Sequence, residues 1–217
     1  MMRKIIIVGA VGLWLSAFGT AAAQELSICE SLKTPRLTTM ARQKMIVVEA
    51  KGDPNAVGKD AFGLLYKTFF SLKGVRMAAP RARWLNMATD PKNQWVGLYG
   101  LPLPDSITQL PDGIQGVRIE DWEYGEVAEI LHVGPYAEEA PTIAKLHEFI
   151  RESSYEIAGP HEEEYLKGPG MAASPSDYWT IIRYSVKKRS RGLELSICSW
   201  ARRKDRAGSA RFSTPSS

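Results

Sequence analysis

Glu163 and Tyr165 are the side chains whose types and spacing best fit chemistry in this 217-residue chain. They stand two apart in a segment with strand character, so they point to one face. A carboxylate beside aromatic faces can hold a lipophilic cation through charge and cation–π contact, worth about 0.5–2 kcal/mol per ring. Desolvation raises a carboxyl pKa, so Glu163 could serve as general base toward water while the Tyr165 phenol polarises a leaving group. Trp84, Trp95 and Tyr136, with Tyr99 behind them, are the aromatic side chains expected around the pair. The opposing reading makes Glu162-Glu163-Glu164 a solvated charge run and Tyr165 an edge of the core. Trp122 and Tyr124 lie just before a strand and are expected to cover its edge. His132, His147 and His161 share no ligand spacing with one another or with a cysteine. No G-x-S-x-G, H-E-x-x-H or phosphate-cradling glycine loop occurs, so neither a metal nor a cofactor is expected.

The elements that must position these residues follow one order twice. Lys44–Ala50 has the β-branched content of a strand. Gly52-Asp53-Pro54 breaks it, with Asp53 as N-cap and Pro54 at the first helical position. Apolar residues then recur at helical spacing from Ala56 to Leu72, and Gly74 ends the helix. Arg83–Ala88 and Gln94–Leu98 read as short paired strands, followed by a Pro- and Gly-rich linker. Gly125–Val133 alternates as a strand, Tyr136–Ser153 is helical, and His161–Leu166 and Tyr178–Val186 supply two more strands. The plan is α+β: tandem strand-helix-strand-strand repeats with pseudo-twofold symmetry around a central cleft between their sheets. By that symmetry Trp84 and Trp95 face the cleft, and Tyr136 sits near its mouth. The domain is placed at 44–186, with repeat one at 44–100, linker 101–116 and repeat two at 117–186.

Composition is globular, with 44% hydrophobic and 24% charged residues and a net charge of +4. The charge is uneven. Residues 1–23 carry Arg3 and Lys4 and no acid, and nine basic residues from Lys187 onward face only Glu194 and Asp205. The two ends therefore hold +2 and +7, which leaves 24–186 at −5. An acidic body excludes a nucleic-acid-binding domain and favours cations. Arg3-Lys4, the apolar run Ile5–Phe18 and Ala21-Ala22-Ala23 read as a cleavable signal peptide over 1–23. Its apolar run is shorter than the ~20 residues a bilayer span needs. A mature start at Gln24, a segment 24–43 ahead of the domain, and a periplasmic or secreted location are the expectation, with no transmembrane segment after cleavage. Cys29 and Cys198 sit in identical Glu-Leu-Ser-Ile-Cys pentapeptides and are a disulfide candidate in an oxidising compartment, or else two small buried thiols. The segment 187–217 reads as a disordered basic tail that could touch anionic surfaces.

Five pieces in order carry a resemblance. They are Leu131-His132-Val133-Gly134-Pro135-Tyr136, Leu146-His147-Glu148-Phe149-Ile150, Gly159-Pro160, Glu163-Glu164-Tyr165-Leu166 and Thr180-Ile181-Ile182. The set resembles the GyrI-like small-molecule-binding family, which also forms the effector-binding half of several multidrug-responsive bacterial regulators. Lys167-Gly168-Pro169-Gly170 departs from it, standing where typical members have a D-P turn. The resemblance implies a tandem-repeat fold and an aromatic pocket whose Glu, here Glu163 with Tyr165, neutralises lipophilic cations. Some similar members hydrolyse strained electrophiles with the pocket Glu and Tyr. Two function classes follow: an exported protein binding a hydrophobic, cationic small molecule, and a hydrolase of strained or electrophilic compounds using the same pair. A weaker third is tetrapyrrole binding, since the SOUL family is similar in fold; no histidine is singled out for it.

Overall fold

The computed structural model describes residues 31–190. The signal-peptide reading, Cys29, Cys198 and most of the basic tail lie outside these residues. Strands β1 (Arg36–Met40), β2 (Gln43–Lys51), β3 (Arg81–Trp84), β4 (Val96–Pro102), β5 (Arg118–Trp122), β6 (Gly125–Val133), β7 (Tyr155–Ile157), β8 (His161–Lys167) and β9 (Trp179–Lys188) surround helices α1 (Pro54–Ser71) and α2 (Ala140–Glu152).

The strands form one antiparallel sheet in the order β1-β6-β9-β8-β3-β4-β2-β5, with β7 on the end of β9. The first repeat contributes β4, β2 and β3, the second β9, β6 and β8, and the halves meet at β3·β8. Each half takes its outer strand from the segment preceding the other half's first strand. Thus β1 leads into β2 but pairs with β6, whereas β5 leads into β6 but pairs with β2. The two repeats are interlocked and the sheet is continuous. The cleft lies over one face of this single sheet, not between two separate sheets as the repeat pattern suggested.

Asp53 caps α1 as expected, its carboxylate accepting from the Asn55 amide at 2.9 Å with Pro54 following. Ala61, Leu65 and Phe69 form a stripe four residues apart that packs on Ile46, Val48 and Leu101. Each such large side chain contributes about 1.5–3 kcal/mol of burial. The exposed-side neighbours Phe62 and Tyr66 line the cleft. Helix α2 buries Leu146 and Ile150 against Ala128, Ile130 and Ile182. On the other face Met45, Val47, Trp122 and Val127 form a second core, so β2 is buried on both sides.

Several boundaries differ from the sequence reading. β3 starts at Arg81 and stops at Trp84, because Asn86 closes a turn in which its Oδ1 accepts from the Val96 amide at 2.7 Å. β4 therefore begins after Trp95 and runs to Pro102, into the segment read as linker. The second helical stretch opens with a 3-10 turn at Tyr136–Glu138 before α2. β1, β5 and β7 carry no clear apolar alternation and were not anticipated, and β1 lies ahead of residue 44. Lys187 and Lys188, read as the start of the disordered tail, extend β9, where β7 pairs with them.

Candidate functional site

Strand β8 separates its three consecutive glutamates by the alternation of a pleated strand. Glu162 and Glu164 point to one face, Glu163 to the other, and none is a solvated charge. Across β3, Arg83 stands opposite Glu162 and Arg81 opposite Glu164. Arg183 of β9, buried, donates to Glu129, Glu162 and Glu164 at 2.8–3.0 Å. Arg83 donates to Glu162 at 2.7 Å and lies 4.1 Å over the Trp122 ring. Tyr124 donates to Glu162 at 3.2 Å and accepts from Arg81 at 2.8 Å. Trp122 and Tyr124 are thus built into this face and take no part in the cleft.

Glu163 faces a cavity of about 740 Å³ between α1, the start of α2 and the sheet. That volume lies within the range of small-molecule sites. Its Oε1 accepts from Trp84 Nε1 at 3.0 Å and lies 3.0 Å from His161 Nε2, while its Oε2 accepts from the Tyr165 hydroxyl at 2.6 Å. An ionised carboxylate can only accept, so His161 Nε2 carries a proton. His161 Nδ1 lies 2.7 Å from the Tyr184 hydroxyl. Burial alone would push the Glu163 carboxyl up, but the bonds from His161, Tyr165 and Trp84 outweigh it and hold the group below the ordinary carboxylate range. Glu163 is therefore a buried anion on an apolar floor. The same burial, with Glu163 nearby, pushes the Tyr165 phenol well above its usual range and Tyr99 up to about 12. Both stay protonated donors at neutral pH.

A second carboxyl stands in the same cavity. Glu139, only 6% exposed, occupies the N-cap position of α2 without capping it, and no protein donor reaches its Oε1. Burial first, then the Glu163 charge, raise its pKa to about 9. The α2 macrodipole favours a carboxylate here by about 0.3–1 kcal/mol, less than one pKa unit, and does not reverse that shift. Glu139, His161 and Glu163 each place one ligand-type atom within 4.8 Å of the others. Among the described residues this is the group that could hold a metal ion. Sequence spacing among the histidines gave no sign of it, since the fold supplies the carboxylates.

The structure brings all six predicted residues, Glu163, Tyr165, Tyr136, Trp84, Trp95 and Tyr99, around this one cavity. Trp84 and Trp95 lie 5.8 Å apart between ring centres, and Tyr99 meets Trp84 edge-on at 5.6 Å. Tyr136 packs on Tyr165 at 5.5 Å and on Tyr178 at 5.1 Å at the mouth. The Gly168 that departs from the family turn leaves room for it, because a Cβ there would come within 2.9 Å of the Tyr136 hydroxyl. Lys59 and Lys92 also line the cavity, but Lys59 is exposed and Lys92 reaches Asp53 at 3.6 Å. Solvent screens both more than it screens Glu163. Sequence reasoning missed Glu139, Phe62, Tyr66 and the roles of His161 and Tyr184. Glu139 left one readable signal: it follows Tyr136 by three, on the same side of a helical turn. His132 is held by Thr142 Oγ1 at 3.0 Å and the Pro135 carbonyl at 3.2 Å, so both its ring nitrogens are engaged.

The family model for the GyrI-like small molecule binding domain matches residues 33–182. Comparison with curated proteins gave no match. Among solved structures the fold is similar to an uncharacterized conserved protein from Listeria innocua, with TM-score 0.66 and 23% identity over 76% of this chain and 98% of that one. A hydrolase from Listeria innocua is similar at TM-score 0.62 and 21% identity, over 76% of this chain and 98% of the other. The C-terminal domain of EcmrR is similar at TM-score 0.61 and 12% identity, over 72% and 98%. At these identities the likeness is one of fold.

Proposed function

The chain belongs to the GyrI-like small-molecule-binding family, and from that premise we propose that it is an exported protein that takes hydrophobic cations into the cavity above Glu163. The observation that carries this reading is a buried carboxylate kept ionised beneath a cage of rings. A neutral ligand would leave that charge uncompensated, whereas a lipophilic cation neutralises it and stacks on Trp84, Trp95 and Tyr136. The acidic middle of the sequence adds a long-range field of the right sign, and Arg3-Lys4, Ile5–Phe18 and Ala21-Ala22-Ala23 support export.

Tryptophan fluorescence tests the reading, because two tryptophans line the cavity. The probes share one biphenylmethyl body: a trimethylammonium salt and its neutral tert-butyl isostere. The cation is expected to quench at a concentration at least about tenfold lower than the isostere, a difference near 1.4 kcal/mol, and Glu163→Gln to remove that preference. Equal response to both probes, or a preference intact in Glu163→Gln, overturns it.

The 2.6 Å bond from Tyr165 to Glu163 favours a second reading, hydrolysis of a strained electrophile. Glu163 would draw a proton from water while Tyr165 donates to the departing atom. Time-resolved loss of an electrophilic probe, abolished in Glu163→Gln, separates an enzyme from a binder.

A further inference from the structure

We propose that Glu139 is a second ligand-binding carboxyl that selects cations bearing an N–H, protonated amines rather than quaternary ammonium or phosphonium ions. This rests on the cation reading of the cavity and names the class of cation. Glu163 accepts from Trp84 and Tyr165 and lies beside His161, so little of its acceptor capacity remains for a ligand. Glu139 is the reverse: buried, lining the cavity, with Oε1 reached by no protein donor. A buried acceptor lacking a donor is an unmet hydrogen bond, and a ligand N–H entering from the cavity would meet it. The Glu139, His161 and Glu163 ligand atoms lie within 4.8 Å of one another, so one ammonium group could lie against both carboxyls.

The groups facing Glu139 are Glu163, His161 and Tyr165 on β8, Tyr184 on β9 and Tyr136 on its own turn, with Lys59 of α1 and Lys92 before β4 at the rim. The nearest charge among them is the Glu163 anion. An arriving ammonium places its positive charge beside that anion and between the two carboxyls, and Glu139 Oε1 accepts the ligand N–H. A quaternary ion brings charge but no N–H, and its methyl groups leave Oε1 unpartnered.

Calorimetry tests this on the chelator-treated protein at pH 7.4. The probes are the biphenylmethyl primary ammonium and its trimethylammonium analogue, with the neutral isostere as reference. The primary ammonium is expected to bind at least about tenfold more tightly than the quaternary ion. In Glu139→Leu, which removes the acceptor, the preference should fall below about threefold, with the quaternary ion still bound. Equal affinity for the two cations, or a preference intact in Glu139→Leu, overturns the assignment of Glu139 while leaving the cation reading intact. If neither cation binds more tightly than the isostere, the cation reading falls and this inference with it.

Discussion

Trp84 and Glu163 belong to different repeats and are joined by a hydrogen bond, Nε1 to Oε1 at 3.0 Å, across the strand pair that unites the two halves. The candidate site therefore exists only once β3 and β8 have paired. Trp84→Phe keeps the ring and removes the donor, leaving Glu163 with two partners in place of three. A bond to a buried charge is worth about 1.5–3 kcal/mol, and the stability loss should have that size near neutral pH. The loss should shrink below the carboxyl range, where Glu163 is protonated in both states. Denaturant titrations at pH 7 and pH 2 check this; an equal loss at both pH values would show that packing, not the charge, is what the indole N–H supports.

Glu139 and Glu163 give opposite pH dependences of stability. Glu163 ionises more readily folded than unfolded, so it stabilises above the ordinary carboxyl value of 4.5, and that contribution is lost as pH falls through its folded value. Glu139 holds its proton up to about 9 in the folded protein, so between 4.5 and 9 the unfolded chain ionises while the folded one does not. Its contribution is fully present below 4.5 and declines as pH rises, by at most about 1.4 kcal/mol per pH unit. Glu139→Gln removes that decline. The melting temperature of the variant should match wild type near pH 5 and rise above it toward pH 8, by up to roughly 6 °C per unit. A gap that stays flat, or opens the other way, shows Glu139 ionised in the folded state.

The order of elements was legible because each carries a local signal: Asp53-Pro54 for the start of α1, Gly134-Pro135 for the end of β6, alternation for β6 and β9. Of the six residues placed around the cleft, Trp84 and Trp95 came from repeat symmetry, Tyr136 from its place at the start of a helix, and Glu163 and Tyr165 from strand alternation together with the family resemblance; with Tyr99 they do meet there. What stayed hidden depends on pairing across the chain. Arg36–Met40 is a strand only because β6 accepts it, at partners 85 to 93 residues away. Glu162 and Glu164 looked solvated because their neutralising partners, Arg81, Arg83 and Arg183, come from other strands. Glu139 gave no apolar or motif signal beyond its spacing from Tyr136, since its burial arises only once α2 packs on β6 and β7.

Tyr165 separates the two functional readings. Its hydroxyl donates 2.6 Å to Glu163, and burial keeps the phenol protonated. In a binding protein, Tyr165→Phe keeps the ring and costs one donor to Glu163, so affinity for the quaternary probe should stay within about fivefold, near 1 kcal/mol. In a hydrolase the same change removes the proton donor, and turnover should fall about a hundredfold or more with KM little changed. Parallel titration and turnover on this one variant decide the question.

The charge network on the opposite face has a centre and a rim. The Arg183 side chain is 4% exposed and donates to three carboxylates, whereas Arg36 is 44% exposed and reaches only Glu129. Arg183→Met leaves buried anions short of a counter-charge and should destabilise by about 3–5 kcal/mol. Arg36→Met breaks a pair that solvent already screens and should cost about 1 kcal/mol or less. Urea unfolding of both variants tests the ranking, and similar losses would mean that the network is not organised around Arg183.

Gly97 tests how tightly the aromatic floor is built. It pairs with Trp84 in the β3·β4 register, and a Cβ added there would lie 2.7 Å from Trp84 Cζ3 and 2.9 Å from Tyr99 Cε2. Neither ring can yield freely, because Trp84 is tied to Glu163 and Tyr99 packs on Phe62. Gly97→Ala should therefore cost about 1–3 kcal/mol of stability and turn the indole away from the carboxylate. The emission of the cavity tryptophans should shift and the response to the cationic probe weaken. Gly63, on the open side of α1 with nothing within 4 Å of its Cβ position, is the control. There, alanine relieves a helical glycine and should stabilise by roughly 0.5–1 kcal/mol without touching the cation response. If Gly97→Ala behaves like Gly63→Ala, the floor has slack that the close approach of Trp84 and Tyr99 denies, and the geometry assigned to Glu163 loses its support.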